Sequence, residues 1–198
     1  MITPLLLVKA YNCKLAMAQL WAPYMDSAAK LCDADADPYR LACFLGQVGH
    51  ESGRLRYTRE IWGPTSQQLR YEPDTPLSKQ LGNFRAGDGK RYMGRGLIQV
   101  TGRLNYHATF GKMKLAMNSG GSTTQLADTI PDFENEPEAL ERPLWAALSA
   151  GLYWKSRNLN KYADARDFVT LTRRINGGIN GLADRQAIFA SAYAALVQ

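Results

Sequence analysis

Apolar residues recur along most of this chain at the three- and four-residue spacing of one helical face, not in the alternation of a half-buried strand. Residues 15–31 read as one helix. The stretch DPYRLACFLGQVGHESG, residues 37–53, reads as a second. Asp37 suits its N-cap, Pro38 its first helical position and Gly53 its stop. PEALERPLWAALSAGLYWKS gives a third helix, with Pro143 placed to divide it. ARDFVTLTRRING and LADRQAIFASAYAALV give two more, ended and started around Gly177, Gly178 and Gly181. The middle of the chain breaks the pattern. LGNFRAGDGKRYMGRGLIQVTGR is rich in glycine and arginine, and its apolar run Leu97–Val100 has the length of a short strand. Residues 82–105 therefore read as a loop lobe carrying a small β-hairpin, packed on a mainly α body. No internal repeat or low-complexity linker interrupts the chain.

A chain of 198 residues, 45% hydrophobic, fits one domain or one domain with two lobes. At that size folding buries about 70% of the unfolded surface, so the core needs no staples. The formal net charge of +6 points to anionic partners: nucleic acid, an anionic membrane face or an acidic polymer such as peptidoglycan. The charge is segregated. Residues 85–114 carry seven bases against the single acid Asp88, and residues 128–141 carry six acids and no base. Each run reads either as an ordinary solvated surface or, for the basic one, as a glycine-rich stretch whose backbone can approach a ligand closely.

Three cysteines, Cys13, Cys32 and Cys43, close no disulfide framework, which fits buried thiols in a reducing cytoplasm. The N-terminal apolar run, Leu5–Val8, is too short for a secretory signal, and no stretch approaches the ~18 apolar residues of a membrane span. The expectation is a protein made in the cytoplasm without a signal peptide and not inserted in a membrane.

Several motifs fail on inspection. Asp33, Asp35 and Asp37 have calcium-loop spacing, but Pro38 and Phe44 stand where such a loop needs glycine and glutamate. His50-Glu51 opens an HExxH that Arg54 does not close, and His50 and His107 are the only histidines, so no metal site is expected. Gly89-Lys90 lacks the flanking residues of a P-loop, and Gly94-x-Gly96 meets Gln99 where a dinucleotide fold needs its third glycine. No basic stripe with base-reading residues accompanies the charge, so nucleic acid is not the expected partner. No cofactor is expected.

Two carboxylates are better placed. Leu41, Phe44, Leu45 and Val48 form the apolar stripe of the second helix, and three residues on the stripe reaches Glu51. A carboxylate there is partly desolvated and sits near the negative end of the helix dipole; both disfavour its charged form, the condition a general acid needs. The alternative is a side chain turned aside to pair with Arg54 or Arg56. Glu60 lies beyond the helix beside Arg56 and Arg59, which would favour its charged form or simply hold it in a surface ion pair. Two carboxylates driven apart in this way are the pattern of glycoside hydrolysis. An inverting pair leaves about 6.5–9.5 Å between them for water.

Three blocks, GHESGRLRYTREIW, GDGKRYMGRGLIQVTGRLNY and TRRINGGINGLADR, resemble in order and spacing the signature segments of glycoside hydrolase family 19, over about residues 38–198. That family holds chitinases and phage and bacterial lysozyme-like enzymes. In length and organisation the chain is most similar to its compact phage endolysins. The resemblance implies a lysozyme-like helical domain with the hairpin lobe beside a cleft, catalytic over 1–198 and without a separate wall-binding module. It implies Glu51 as general acid and Glu60 as the base that activates water. Thr101 would help hold that water, while Gln99, Asn105 and Asn176 would be cleft amides that bind substrate. Tyr106 and Arg185 match motif positions without an assigned role. Met93, Ile61-Trp62 and Leu104 depart from the family pattern and favour a substrate other than plain chitin. Trp62, Tyr71 and Tyr92 offer apolar faces to sugar rings or belong to the core. The basic middle segment suits peptidoglycan, whose stem peptides carry carboxylates, better than neutral chitin.

The expected function is cleavage of the β-1,4 bond between N-acetylmuramic acid and N-acetylglucosamine by a monomeric endolysin. A separate holin would release it to act on the wall in the periplasm. A chitinase, an antibacterial effector and a non-catalytic sugar-binding protein are the alternatives.

Overall fold

The computed structural model describes residues 1–119 and 129–198, without the side chains of residues 118 and 119. Asp128, counted in the acidic run, lies outside the described residues. The chain forms two compact units, residues 1–56 with 150–198 and residues 57–149.

The first unit holds α1 (Pro4–Tyr11), α2 (Leu15–Leu31) and α3 (Pro38–Glu51). It also holds the end of α8 (Pro143–Ser156), then α9 (Asn160–Asp164), α10 (Phe168–Asn176) and α11 (Leu182–Leu196). The start of α3 follows from its sequence. Asp37 accepts from the backbone N–H of Tyr39 and Arg40, and Pro38 opens the helix without leaving a donor unpaired. A 3-10 turn, Ala34–Ala36, flanked by Asp33 and Asp37, delivers this cap. Helix α3 packs on α11, and α1 packs on both α11 and α2. The core includes Leu7, Met25, Phe44, Leu45 and Trp154, with Phe44 and Trp154 in edge contact at 5.4 Å. Gly46 decides how closely α3 and α11 approach. A Cβ there would stand 2.9 Å from the Arg185 carbonyl oxygen and 3.1 Å from Phe189 Cβ.

The second unit is built from short pieces: α4 (Ser66–Leu69), α5 (Pro76–Leu81), α6 (Asp88–Arg91), α7 (Arg103–Ser119), a 3-10 turn at Pro137–Glu141 and the start of α8. Pro143 divides the third anticipated helix, as expected. The anticipated hairpin is reduced to a turn. Leu97–Gln99 form no strand, and the only ladder contacts among the described residues are the isolated bridges Arg59↔Arg95 and Arg95↔Val100. Leu97 points into the core instead and is fully buried.

Two buried arginines organise this unit. Arg95, 3% exposed, donates to Glu141 Oε1 at 2.8 Å, the Arg91 carbonyl at 2.6 Å and the Tyr106 hydroxyl at 3.0 Å. Arg103 pairs with Asp88 at 2.6 Å and Glu134 at 3.0 Å. The basic and acidic runs are thus partly each other's partners, and only Arg85, Lys90, Arg91, Lys112 and Lys114 of the basic run remain exposed. Tyr106, whose hydroxyl donates to the Met93 carbonyl, belongs to this internal network. Cys32 and Cys43 are buried free thiols, pushed up to about 12 by that burial. No helix among the described residues is long and apolar enough to cross a membrane.

Candidate active site

Glu51 is the last residue of α3, on the helix's core face. Leu41, Phe44, Leu45 and Val48 are all buried, and the Glu51 side chain, 23% exposed, is the polar end of their stripe. Its partner is neither Arg54 nor Arg56. Arg185, from the first turn of α11 and 2% exposed, donates through Nη2 to Glu51 Oε1 at 2.5 Å. The same guanidinium donates through Nη1 to Gln47 Oε1 at 2.7 Å and through Nε to the Asn180 carbonyl at 3.2 Å. Gln47, one helical turn before Glu51, donates in turn to the Thr172 hydroxyl at 2.8 Å. Arg185 is therefore locked from three sides and fixes one oxygen of Glu51. Among the described residues, Oε2 has no hydrogen-bond partner.

Arg54 belongs to a neighbouring cluster. It donates to Asp184 Oδ1 at 2.5 Å, while His50 Nδ1 lies 2.7 Å from Oδ2. Burial pushes the Asp184 carboxyl up, but the hydrogen bonds from His50 and Arg54 outweigh it and hold the group below its ordinary value. Asn176 reaches the same region, its side-chain amide donating to the Asn180 carbonyl at 3.2 Å. Tyr153 donates to the Ile175 carbonyl, and its hydroxyl is raised by burial and further by the negative charge of Glu51. The first unit thus brings together Glu51, Arg185 and Asn176.

Glu60 is placed differently. It lies in a loop, with Gln68 Nε2 donating to Oε1 at 2.9 Å and the Gly94 backbone N–H to Oε2 at 3.0 Å. The Glu60 N–H donates back to the Gly94 carbonyl at 2.8 Å. The anticipated arginine pairing is absent, because Arg59 turns to Glu141 instead. Gly94 leaves little room for a side chain in this arrangement. A Cβ would stand 2.8 Å from Gln99 Oε1 and 3.2 Å from Thr101 Oγ1, so both predicted site residues crowd the strip of backbone that holds Glu60. Thr101 donates to the Gln99 carbonyl at 2.9 Å, which leaves its oxygen lone pairs able to accept from water. Asn105 donates to the Thr101 carbonyl at 2.7 Å and is exposed.

Tyr71 stands near Glu60; its hydroxyl is raised by burial and by the Glu60 charge. Trp62 and Tyr71 are half-buried with ring centroids 6.4 Å apart, so both keep partial access to solvent. Tyr92, 1% exposed, is a core residue and no platform for sugar. Met93 is likewise buried, a position where an uncharged side chain needs no ion-pair partner.

The second unit thus brings together Glu60, Gln99, Thr101 and Asn105. Sequence reasoning missed Gln68 and Gly94 as the partners of Glu60, and Gln47 as the second acceptor of Arg185. A local signal does mark Gln68: Thr65-x-x-Gln68 is a capping box, in which Gln68 Oε1 accepts from the Thr65 N–H at 2.8 Å and Nε2 is left for Glu60. Among the described residues no group of three His, Cys, Asp or Glu side chains is placed to hold a metal.

No protein-family model matches the chain. A Haemophilus influenzae (strain Rd) protein described as glycosyl hydrolase family 19 domain-containing is 33% identical over 172 residues, covering 75% of this chain and 76% of that protein. An endochitinase of Arabidopsis thaliana is 28% identical over 165 residues, covering 83% of this chain but only 46% of the plant protein. Among solved structures, chitinase C of Streptomyces griseus HUT6037 superposes with a TM-score of 0.66 at 22% identity, over 100% of this chain and 77% of that one. A bacterial family 19 chitinase gives 0.63 at 18% identity, over 98% and 94%. At these identities the structural likeness carries the fold, and the mainly helical, lysozyme-like architecture agrees with it.

Proposed function

The chain belongs to glycoside hydrolase family 19, and we propose that the bond it cleaves is the β-1,4 linkage between N-acetylmuramic acid and N-acetylglucosamine in peptidoglycan. That it is a chitinase-like glycoside hydrolase follows from the family; the choice of polymer is the proposal. The observation that carries it is the surplus of exposed bases, Arg85, Lys90, Arg91, Lys112 and Lys114, on a chain of net charge +6. An anionic polymer gains from that field and neutral chitin does not.

In this reading Glu51 donates a proton to the glycosidic oxygen as the bond to the leaving sugar breaks. Arg185 holds Oε1, so Oε2 is the oxygen available to carry that proton. Glu60 removes a proton from water, which attacks the anomeric carbon from the opposite face and inverts its configuration. Gln68 and the Gly94 N–H fix the Glu60 carboxylate, and each of its oxygens keeps a second lone pair for the water. Thr101 helps to hold that water. Gln99, Asn105 and Asn176 present amides to sugar hydroxyls and N-acetyl groups.

Mass spectrometry of digested peptidoglycan tests this directly. A reducing muramic end is expected; a reducing glucosamine end or an anhydro-muramic end overturns it. The names of the plant and Streptomyces relatives favour a second reading, hydrolysis of chitin. It predicts turnover of N-acetylglucosamine oligomers and none of purified peptidoglycan.

The biological role we favour is that of a phage endolysin, active as a monomer and released from the cytoplasm to the periplasmic wall by a separate holin. Produced in the cytoplasm of a Gram-negative host, it should lyse cells only when a pore-forming membrane protein is made alongside it. Lysis by the enzyme alone would remove the holin from the account and favour an exported effector.

A further inference from the structure

The second unit contains an open cavity of about 430 Å³, lined by Arg85, Asp88, Arg91, Tyr92, Arg103 and Asn135. Its three arginines are not equivalent. Arg103 is neutralised by Asp88 and Glu134 and lies over the rings of Phe84 and Tyr92 at 4.5 and 4.6 Å. Arg91 is held just as firmly, but by neutral acceptors. Its Nε donates to the Tyr92 hydroxyl at 3.1 Å, and its Nη2 donates to the carbonyls of Asn135 at 2.9 Å and Glu134 at 3.4 Å. No described carboxylate pairs with it, so its orientation is fixed while its charge is not compensated. Arg85 stands 5.4 Å over the Phe84 ring, also without a carboxylate among the described residues. The remaining charges nearby are engaged. Asp88 accepts from the N–H groups of Phe84 and Arg85 as well as from Arg103, and Glu72 accepts from those of Gly87 and Lys90.

The Tyr92 hydroxyl donates to the Glu134 carbonyl and the Asn135 amide N–H to Asp132, so the donors left in the cavity are mainly guanidinium groups, beside the Asn135 carbonyl oxygen. A site dominated by charged donors favours a multi-oxygen anion over a neutral sugar, which gains nothing from the positive charge. The volume exceeds what one small ion fills. Arg91 is three residues before Gly94, so its Cα lies within about 11 Å of the backbone that holds Glu60.

We propose that this cavity binds a carboxylate of the acidic peptide attached to the glycan strand, and so makes the enzyme prefer peptide-bearing glycan to bare glycan. The proposal rests on the peptidoglycan reading above and names its recognition element.

An amide-shift titration by NMR with the free peptide L-alanyl-γ-D-glutamyl-diaminopimelate tests it. Shifts should centre on Gly87, Tyr92 and the Arg91 Nε–H. The same peptide with its carboxylates amidated should not bind. Arg85→Ala combined with Arg91→Gln should weaken binding about tenfold, and thermal unfolding should establish that the variant is folded. The variant should lose about the same factor in kcat/KM on peptidoglycan, through KM, with N-acetylglucosamine oligomers unaffected. Equal titration by both peptides, or by neither, overturns the site. If the acidic peptide binds here but the wild-type enzyme does not cut peptidoglycan, the carboxylate site stands and the peptidoglycan reading falls.

Discussion

Glu51 and Glu60 are held by opposite means. In the first unit a glutamate at the end of a regular helix is gripped by one buried arginine, itself locked by Gln47 and the Asn180 carbonyl. In the second, a glutamate in irregular backbone is gripped by a side-chain amide and a peptide N–H, with no cation in contact among the described residues. Both grips fix the direction of a carboxylate, one through a formal positive charge and the other through neutral donors. The surroundings differ as well. The first unit is a bundle of helices packed on apolar faces, whereas the second combines an apolar core that includes Leu97, Phe133 and Trp145 with the buried arginines Arg95 and Arg103.

The largest expected effect separates the two glutamates. Glu51→Gln should keep the fold and lose at least ~10²-fold in kcat. Glu60→Gln should lose roughly tenfold or more. A loss below about twofold for the second would move water activation to another group and dissolve the pairing. The next effect separates their partners. Arg185→Met leaves the Glu51 carboxylate and the Gln47 amide without their buried donor and should cost about 3 kcal/mol in urea unfolding. Gln68→Leu leaves Glu60 with the Gly94 N–H and should cost about 1 kcal/mol. Equal costs would show that charged and neutral grips do not differ.

A smaller effect is expected at Gly94. Gly94→Ala pushes on Gln99 and Thr101, whose side chains can shift, so stability should change by less than about 1 kcal/mol. Steady-state kcat should fall roughly tenfold as the Glu60 loop is displaced. The smallest effect is in the acid limb of stability. Burial raises the Asp88 carboxyl, but hydrogen bonds from Arg103 and the Arg85 and Phe84 N–H groups bring it below its ordinary value. The unfolded chain therefore binds the proton first on acidification. The stabilisation is present above about pH 3.9 and is lost as pH falls through the lower folded value. Asp88→Asn should flatten the pH dependence of unfolding below about pH 4. An unchanged slope would mean that Asp88 is not a source of it.

Helix α3 was legible because every cue in it is local. The Asp37 cap, Pro38 and the stripe from Leu41 to Val48 lie within one segment, and extending that stripe is enough to reach Glu51. The helix ends at Glu51 and Asn176 followed in the same way, and so did the division at Pro143. The partners were not legible. Arg54 and Arg56 are closer to Glu51 in sequence than Arg185, and only the packing of α11 on α3, allowed by Gly46, brings Arg185 to it. Two members of the basic segment were illegible for the same reason. Counting charges along the chain cannot show that Arg95 and Arg103 fold back onto Glu141, Asp88 and Glu134. Leu97–Val100 has the composition of a strand, yet among the described residues no strand pairs with it, and the segment closes as a turn between Arg95 and Val100.

By itself, then, the sequence determined what depends on neighbours within a few residues: helix spacing, caps, the position of Glu51 at the end of a buried stripe, and the three ordered blocks that carry the family resemblance. Only the tertiary structure decided which donor each glutamate meets, which arginines are buried and which remain available to an anion. Hydrogen bonds and ion pairs are selected by distance in space, and here the partners of Glu51 and Arg95 come from segments that the chain order keeps apart.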